Sequence, residues 1–494
     1  MTVSQTDARL LPEAERFTSG PVAPRGAGDH QGEWIPTLDP STGREITTIA
    51  ACSAEQVDAT VRSAHQAFTS SWGRMSPYAR ERVLHRLADL IEEHSLELAQ
   101  YDALESGKPV AFVEAIDIGL AVEQFRYYAG WPTKVTGAVV AVPDTSAHVY
   151  TTRRPYGVVA AITPWNFPLC QAAIKIAPAL AAGNAVVVKP SELTSLSTLR
   201  LAELALEAGM PEGTLSVVTG PGAGAGAALV AHPLVPAISF TGSEAVGRRL
   251  ATQAGADLKH ISLELGGKNP NVVFADADVP AAAAMAATTA FFYTGQVCFA
   301  GSRLMVEESV LDEVLQVVHD HARDLVVGPG LAPGSTMGPL VSAAHRDKVR
   351  GYVEGVAGSG ARVTTGGNDI GGELADGFFF EPTVVLNPTD ESPVASEEVF
   401  GPVLVVQTFR DEEELLRRAN GTSFGLTAGL WTNDVRRAHR LADQLQAGTV
   451  WVNTYGDFNA GAPWGGTKAS GLGRDCGPDG LGKYLETKTI WMAG

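Results

Sequence analysis

From residue 156 onward the chain alternates short apolar runs with helical stretches, and this alternation constrains the fold more than any other feature. Gly157-Val-Val-Ala-Ala-Ile162 reads as a strand, 169–182 as a helix and Ala185-Val-Val-Val-Lys189 as a strand. A helix at 193–209, a strand at Leu215-Ser-Val-Val218 and a helix at 223–231 follow. The strand Val235-Pro-Ala-Ile-Ser-Phe240, a helix at 243–254 and the strand His260-Ile-Ser-Leu-Glu264 complete the series. Strands that are apolar on both faces, alternating with helices, indicate a parallel sheet covered on both sides. Ligands of such sheets bind beyond the carboxyl ends of the strands. Asn166, Lys189, Ser243 and Glu264 all fall there.

A second alternation runs from Val272 to Asn453, with strands at 303–306, 402–408, 425–431 and 448–452. A second α/β domain is therefore expected just after Glu264. At 494 residues the chain is too long for a single core. Helical periodicity precedes the first sheet at 54–69, 77–105 and 112–129, and an alanine-rich helix spans 280–290. Residues 1–33 are polar and rich in Gly and Pro, and are expected to form a loosely held arm. Residues 137–155 and 482–492 fit neither sheet and alternate like edge strands. Strands of this kind often pair between subunits, so a homo-oligomer, dimer or tetramer, is expected.

The net charge of −18, from 37 basic and 55 acidic residues, argues against a nucleic acid or an anionic membrane as partner. No apolar run reaches the length of a membrane span, and no signal peptide is visible. Cys52, Cys170, Cys298 and Cys476 are scattered, with no CxxC pair and no cluster at metal-ligand spacing. A cytoplasmic, reducing location is expected, with no metal site.

Cys298 lies in Gly-Gln-Val-Cys-Phe-Ala-Gly-Ser-Arg, 295–303, flanked by Gly295, Ala300 and Gly301. Small neighbours would admit a carbonyl substrate and backbone N–H donors to a thiolate. A buried structural thiol is the alternative. Gly220-Pro-Gly222-Ala-Gly224-Ala225 matches a dinucleotide fingerprint, but the acidic residue that should end the next strand is missing. Thr241-Gly242-Ser243 is the better phosphate candidate, because it opens a helix; a plain N-cap is the alternative. In Lys189-Pro190-Ser191-Glu192 the carboxylate can accept from paired ribose hydroxyls and repel a 2′-phosphate, favouring NAD over NADP. A capping box led by Ser191 is the alternative. Asn166, held between Pro164 and Pro168, suits an oxyanion donor or an Asx-turn. Glu264, before two glycines, suits a general base or a surface turn.

Together these segments resemble the aldehyde dehydrogenase superfamily. PWNFP at 164–168, KPSE at 189–192, FTGS at 240–243, ELGGK at 264–268, GQVCFAGSR at 295–303, EEVFGPV at 397–403 and PWGGTKASGLGRD at 463–475 occur in the family's order. The match runs from about Asp39 to the C-terminus. It implies an α/β, aldehyde dehydrogenase-like fold. An NAD-binding parallel-sheet domain would comprise 1–136 and 156–263, and an α/β catalytic domain 264–470. A small oligomerisation β-sheet would come from 137–155 and 471–494.

The resemblance also implies roles. Cys298 would attack the aldehyde, Asn166 and the Cys298 N–H would hold the oxyanion, and Glu264 would activate the water that hydrolyses the thioester. Lys175 and Asp475 match a proton-relay pair, although the family usually has the longer Glu at the latter position. Lys189 and Glu192 would hold the adenosine ribose, Ser243 the pyrophosphate, and Glu398 with Phe400 the nicotinamide end. Thr163, Trp165, Ser191, Gly222, Gly226, Phe240, Gly242, Leu265 and Lys348 match the remaining cofactor surface. Tunnel positions map to Leu120, Phe167, Cys170, Ile174, Phe292, Phe299, Phe458 and Trp464. Trp464 resembles betaine- and amino-aldehyde dehydrogenases, whose aromatic boxes hold a cation. Ile174 and Phe292 interrupt that box, so an apolar aliphatic or aromatic aldehyde is favoured over a quaternary or amino aldehyde. A CoA-acylating relative would lack the base Glu264, and a non-catalytic structural member would not need Cys298, Asn166 and Glu264 together.

Overall fold

The computed structural model describes residues 10–25, 30, 32–143, 146–357 and 360–493. Residues 1–9, 26–29 and 31 of the expected arm lie outside the described residues, as do 144–145 and 494 of the expected oligomerisation segments.

The first sheet has six strands in the spatial order Gly471–Leu472, His260–Glu264, Ala237–Thr241, Val158–Ile162, Ala185–Lys189, Leu215–Val217. All pairings are parallel except the short Gly471–Leu472, which runs antiparallel to His260–Glu264. Val158–Ala161 are fully buried because helices cover both faces. Burying each such valine contributes about 1.5–3 kcal/mol, which is why an unbroken apolar run selects a doubly covered strand. The chain winds one way from Val158–Ile162 to Ala185–Lys189 and the other way to Ala237–Thr241. That reversal opens a crevice at the carboxyl end of Val158–Ile162, where residues 163–167 begin.

The second sheet has seven strands, ordered Arg362–Thr365, Thr383–Leu386, Val403–Phe409, Arg303–Glu307, Pro270–Val273, Thr427–Trp431, Thr449–Val452. Only Arg362–Thr365 is antiparallel. A separate two-stranded ribbon pairs His148–Pro155 with Leu485–Met492 and leaves Trp491 and Met492 exposed. Gly471 and Leu472, expected in the oligomerisation segment, pair with Glu264 and Leu263 of the first sheet instead.

Three expectations need correction. The described part of the N-terminal arm is docked. Ala14, Phe17 and Val22 are buried, Phe17 packs 5.4 Å from the Tyr101 ring, and the Tyr101 hydroxyl donates to the Glu13 carbonyl. The helix expected at 77–105 breaks at His94 into Pro77–Glu93 and Ser95–Ser106. The helix expected from 193 starts at Leu196, because the buried Glu105 carboxylate accepts from the Ser195 and Leu196 N–H groups and so caps it there.

Candidate active site

The carboxyl ends of four strands of the first sheet line a groove. Lys189 is buried at one strand end, with Nζ donating to the Pro190 carbonyl at 2.8 Å and to Glu192 at 3.2 Å. Glu192 is therefore spent on Lys189 rather than on a capping box; Ser191 Oγ instead accepts from the Leu193 N–H. Ser243 precedes the helix Glu244–Ala256 but makes no side-chain cap bond, so its hydroxyl is spare at a positive helix end. A Cβ at Gly242 would lie 2.5 Å from the Phe240 ring, whereas one at Gly222 would meet nothing. Residues Gly222–Gly226 form one wide helical turn ahead of Ala227–Ala231, rather than the tight phosphate loop of the fingerprint. Thr163, Trp165, Ser191, Gly226 and Phe240 line the same groove. The hydroxyls of Thr163 and Thr241 are buried there without a hydrogen-bond partner. Such unsatisfied donors beside an open glycine wall suit a dinucleotide with ribose and phosphate oxygens.

The groove continues into a cavity of about 210 Å³ lined by Trp165, Asn166, Leu265, Cys298, His345, Lys348, Glu398 and Phe400. Glu398 accepts from the Gly267 N–H at 3.0 Å, and a Cβ at Gly266 would collide with its carboxylate. Burial raises its pKa to about 7 against the pull of that amide and of Lys348 and Lys268. Phe400 adopts φ +61° and meets Trp165 edge-on at 5.3 Å. Sequence reasoning missed His345, which packs on Trp165 at 5.3 Å. Its Nε2 donates to the Phe400 carbonyl at 2.7 Å, and burial lowers its pKa to about 4, so the ring is neutral. Its only sequence signal was a position one helical turn before Lys348.

Cys298 follows a backbone kink in which Tyr293, Thr294 and Gly295 are left-handed, at φ 49°, 60° and 68°. Gly295 is required because a Cβ would run into the Gly401 carbonyl. Its smallness thus serves a backbone crossing; it does not leave space around the thiol, as its position in the sequence suggested. Two further residues missed in the sequence hold the loop. Asn269 donates to the carbonyls of Cys298 and Ala300, at 2.8 and 3.0 Å, and the Tyr455 hydroxyl donates to that of Phe299. Both fix the peptide planes around the thiol. Burial pushes the Cys298 thiol up to about 12, with Glu398 and Glu264 adding to the shift and backbone N–H groups opposing it. Asn166 is buried and gives one amide N–H to the Gln296 carbonyl at 2.9 Å, which leaves one N–H for another acceptor.

A second cavity, of about 220 Å³, opens on the other side of Cys298. Leu120, Phe167, Cys170, Ile174, Phe292, Phe299, Phe458 and Trp464 all line it. Ile116, Met285, Thr288, Thr289 and Tyr455, absent from the sequence expectation, line it too. None of its lining side chains carries a formal charge at neutral pH. Phe299 and Phe458 meet Trp464 edge-on at 5.6 and 5.3 Å.

Glu264 lines neither cavity. It ends its strand buried, with both carboxylate oxygens unpartnered, and a Cβ at Gly465 would lie 2.5 Å from Oε1. Behind it, Lys175 Nζ lies 3.3 Å from Asp475 Oδ2, so the shorter Asp475 does reach Lys175. Burial and the Asp475 charge hold Glu264 well above the usual carboxylate range, while Lys175, Lys483 and Arg474 oppose them.

A dinucleotide-shaped groove and an apolar tunnel meeting at one thiol define an α/β enzyme with a cysteine at the junction of two sites. The model of the aldehyde dehydrogenase family matches residues 27–490. A phenylacetaldehyde dehydrogenase of Pseudomonas fluorescens is 46% identical over 477 residues, spanning 94% of this chain and 95% of its own. A betaine aldehyde dehydrogenase of Bacillus subtilis is 41% identical over 470 residues, spanning 93% and 96%. The NAD+ complex of an aldehyde dehydrogenase from Bacillus cereus superposes with a TM-score of 0.96 at 40% identity, covering 99% of this chain and all of the other. The chain belongs to the aldehyde dehydrogenase family.

Proposed function

We propose that this enzyme oxidises an apolar, aliphatic or aromatic aldehyde to the carboxylic acid with NAD, using Cys298 as nucleophile. The observation that carries the proposal is that Cys298 is the one nucleophilic side chain lining both the uncharged tunnel and the cavity continuous with the groove. Cys298 rests as a thiol, so as Sγ bonds to the aldehyde carbon the S–H bond breaks and its proton passes to solvent on the groove side. The free N–H of Asn166 and the backbone N–H of Cys298 hold the oxyanion. Lys189, Glu192, Ser243 and Glu398 would hold NAD, which would supply the acceptor for the hydride that leaves the carbon as the oxyanion re-forms its carbonyl. A thioester on Cys298 remains. Glu264 takes a proton from water, the resulting hydroxide adds to the thioester carbon, and the Cys298–carbon bond breaks to release the acid. The proton on Glu264 then passes to solvent by way of the Lys175–Asp475 pair, Lys175 giving up one proton as it takes another.

The tunnel supports the substrate class. A quaternary ammonium needs several aromatic faces or a carboxylate around it. Here Ile174 and Phe292 line the same tunnel as Trp464, no acidic side chain does, and the remaining rings of Phe167, Phe299, Tyr455 and Phe458 offer apolar contact to an uncharged aldehyde as well. The two-stranded ribbon with exposed Trp491 and Met492 supports a homo-oligomer built on that edge, and four unbridged cysteines support a reducing, cytoplasmic location. Steady-state kcat/KM over an aldehyde panel, with the acid product quantified, tests the reading. Phenylacetaldehyde is expected to exceed betaine aldehyde by at least about tenfold. The reverse preference would overturn the substrate assignment.

A further inference from the structure

Asp475 is a buried carboxylate held from two sides. Lys175 Nζ approaches Oδ2, and Lys483 Nζ makes an ion pair with Oδ1. Lys483 also donates to Ser239 Oγ and Ser262 Oγ, each at 3.2 Å, which anchors it on two strands of the first sheet. The backbone of Asp475 is locked to Trp464 by two reciprocal hydrogen bonds, of 2.8 and 2.7 Å. The residue next to Trp464 is Gly465, the close neighbour of the unpartnered Glu264 carboxylate. Charge bookkeeping in this buried cluster is tight. With Glu264 ionised, it and Asp475 bring two negative charges, Lys175 and Lys483 two positive ones, and Arg474 sits at the partly exposed rim with its guanidinium on backbone carbonyls. The other titratable groups packed here are Cys476, Tyr484 and Tyr128. Burial holds all three above their usual values, and therefore neutral.

We propose that Lys483 is a positioning residue for thioester hydrolysis: its ammonium holds Asp475 against Lys175 and supplies the positive charge that lets Glu264 ionise and act as base. The inference rests on the proposed reaction and extends it to a residue outside both cavities. Without the Lys483 charge, two buried carboxylates would share one buried lysine, and the cluster would take up a proton. Asp475 now stays below the usual carboxylate range despite its burial because both lysines face it, and Lys483 is in turn held above the usual lysine range by Asp475 against its own burial. The proton lands on Glu264, which burial and Asp475 already hold above the usual carboxylate range, and its ionised, base-competent form becomes rarer still.

The test uses the full-length enzyme with a good aldehyde substrate, measuring first-turnover NADH, acyl-enzyme accumulation by rapid quench, and the pH profile of turnover. Lys483→Met is expected to keep first-turnover NADH while acyl-enzyme accumulates. Its steady-state turnover should fall about tenfold near pH 7, with the acidic limb moved up by about one pH unit. Lys483→Arg should restore both. Asp475→Asn should move the limb the other way, because it removes the negative charge that opposes ionisation of Glu264. If Lys483→Met does not fold, Lys483→Gln keeps a donor to Asp475 without the charge and carries the same expectation. An unmoved acidic limb in the uncharged variant, or NADH formation and turnover falling together with a lowered Tm, would overturn this inference alone. A parent enzyme forming no NADH from any aldehyde would overturn the proposed reaction, and this inference with it.

Discussion

The two cavities that meet at Cys298 are built by opposite means. The groove is made of strand ends, where backbone geometry brings polar groups to a wall kept open by Gly222 and Gly242. The tunnel is made of side chains from separate helices and from the loops at 292–299 and 455–464, mostly apolar. A strand end fixes its residues through the sheet, so a groove of this type tolerates little change. A tunnel wall is set by side-chain volume alone, so it can be resized without disturbing the sheets. Chemistry is therefore tied to the sheet architecture, and substrate choice to packing.

The strongest break of this division is removal of the junction. Cys298→Ala is expected to lower NADH formation by at least about 10⁴-fold, while NAD affinity, measured by calorimetry, changes less than about threefold. Activity within tenfold of the parent would remove the thiol from the chemistry. Loss of NAD binding would mean that the two sides are not separable.

The next effect concerns the resting thiol. Its pKa is raised to about 12 by burial and by the carboxylates of Glu398 and Glu264. For an acid whose pKa is raised, the thiolate fraction is small at neutral pH and grows tenfold per pH unit until the pKa is reached. In the enzyme without NAD, iodoacetamide inactivation should therefore rise about 10³-fold from pH 7 to pH 10 without levelling. A plateau near the ordinary thiol pKa would show that water reaches Cys298 freely from the groove side.

The difference in construction also explains what was legible. Lys189 and Glu264 stood out because a polar residue ending an apolar strand breaks a strict local pattern, Glu192 and Ser243 because they follow a strand end within three residues, and the strands themselves follow from double burial. The tunnel residues recovered from the sequence came through resemblance. Ile116, Met285, Thr288 and Thr289 were not recovered, because spacing along a helix does not mark which of its residues faces a cavity. His345 and Asn269 were invisible for another reason. Each acts on a carbonyl distant in sequence, Phe400 for one and Cys298 and Ala300 for the other, and spacing along the chain does not encode such a contact. Lys483 belongs with them, since its partners Asp475, Ser239 and Ser262 come from three separate segments. The docked part of the N-terminal arm was misread because Ala14, Phe17 and Val22 are too few to show periodicity, yet all three are buried in one cluster with Ile49, Tyr101 and Leu199.

On the tunnel side, Phe299 sharpens the comparison. It meets Trp464 edge-on at 5.6 Å and stacks offset from Phe167 at 6.5 Å, so its ring is shared wall. Phe299→Ala should cut kcat/KM for phenylacetaldehyde about 10- to 30-fold, mostly through KM, and leave the KM for NAD within about twofold. An equal loss for acetaldehyde, which cannot fill the tunnel, would mean that the ring positions the thiol rather than the substrate.

The smallest expected effect lies on the groove side, at Glu192. Its carboxylate is partly exposed, with 38% of the side chain accessible, and it neutralises the buried Lys189 at 3.2 Å. Two contributions act in the same direction when it is replaced by Ser. The cofactor loses an acceptor for its ribose hydroxyls, and Lys189 becomes an unpaired cation at a wall that a 2′-phosphate could approach. Solvent at the rim screens both, so the change should be modest. Glu192→Ser is expected to raise the KM for NAD about three- to tenfold and to lower the NAD over NADP ratio in kcat/KM about tenfold, with the KM for phenylacetaldehyde unchanged. A ratio that stays fixed would remove Glu192 from cofactor discrimination. It would also shift that role to Lys189 and to the groove's glycine wall, where a Cβ at Gly222 would meet nothing and a side chain added there would reach the cofactor's side of the groove.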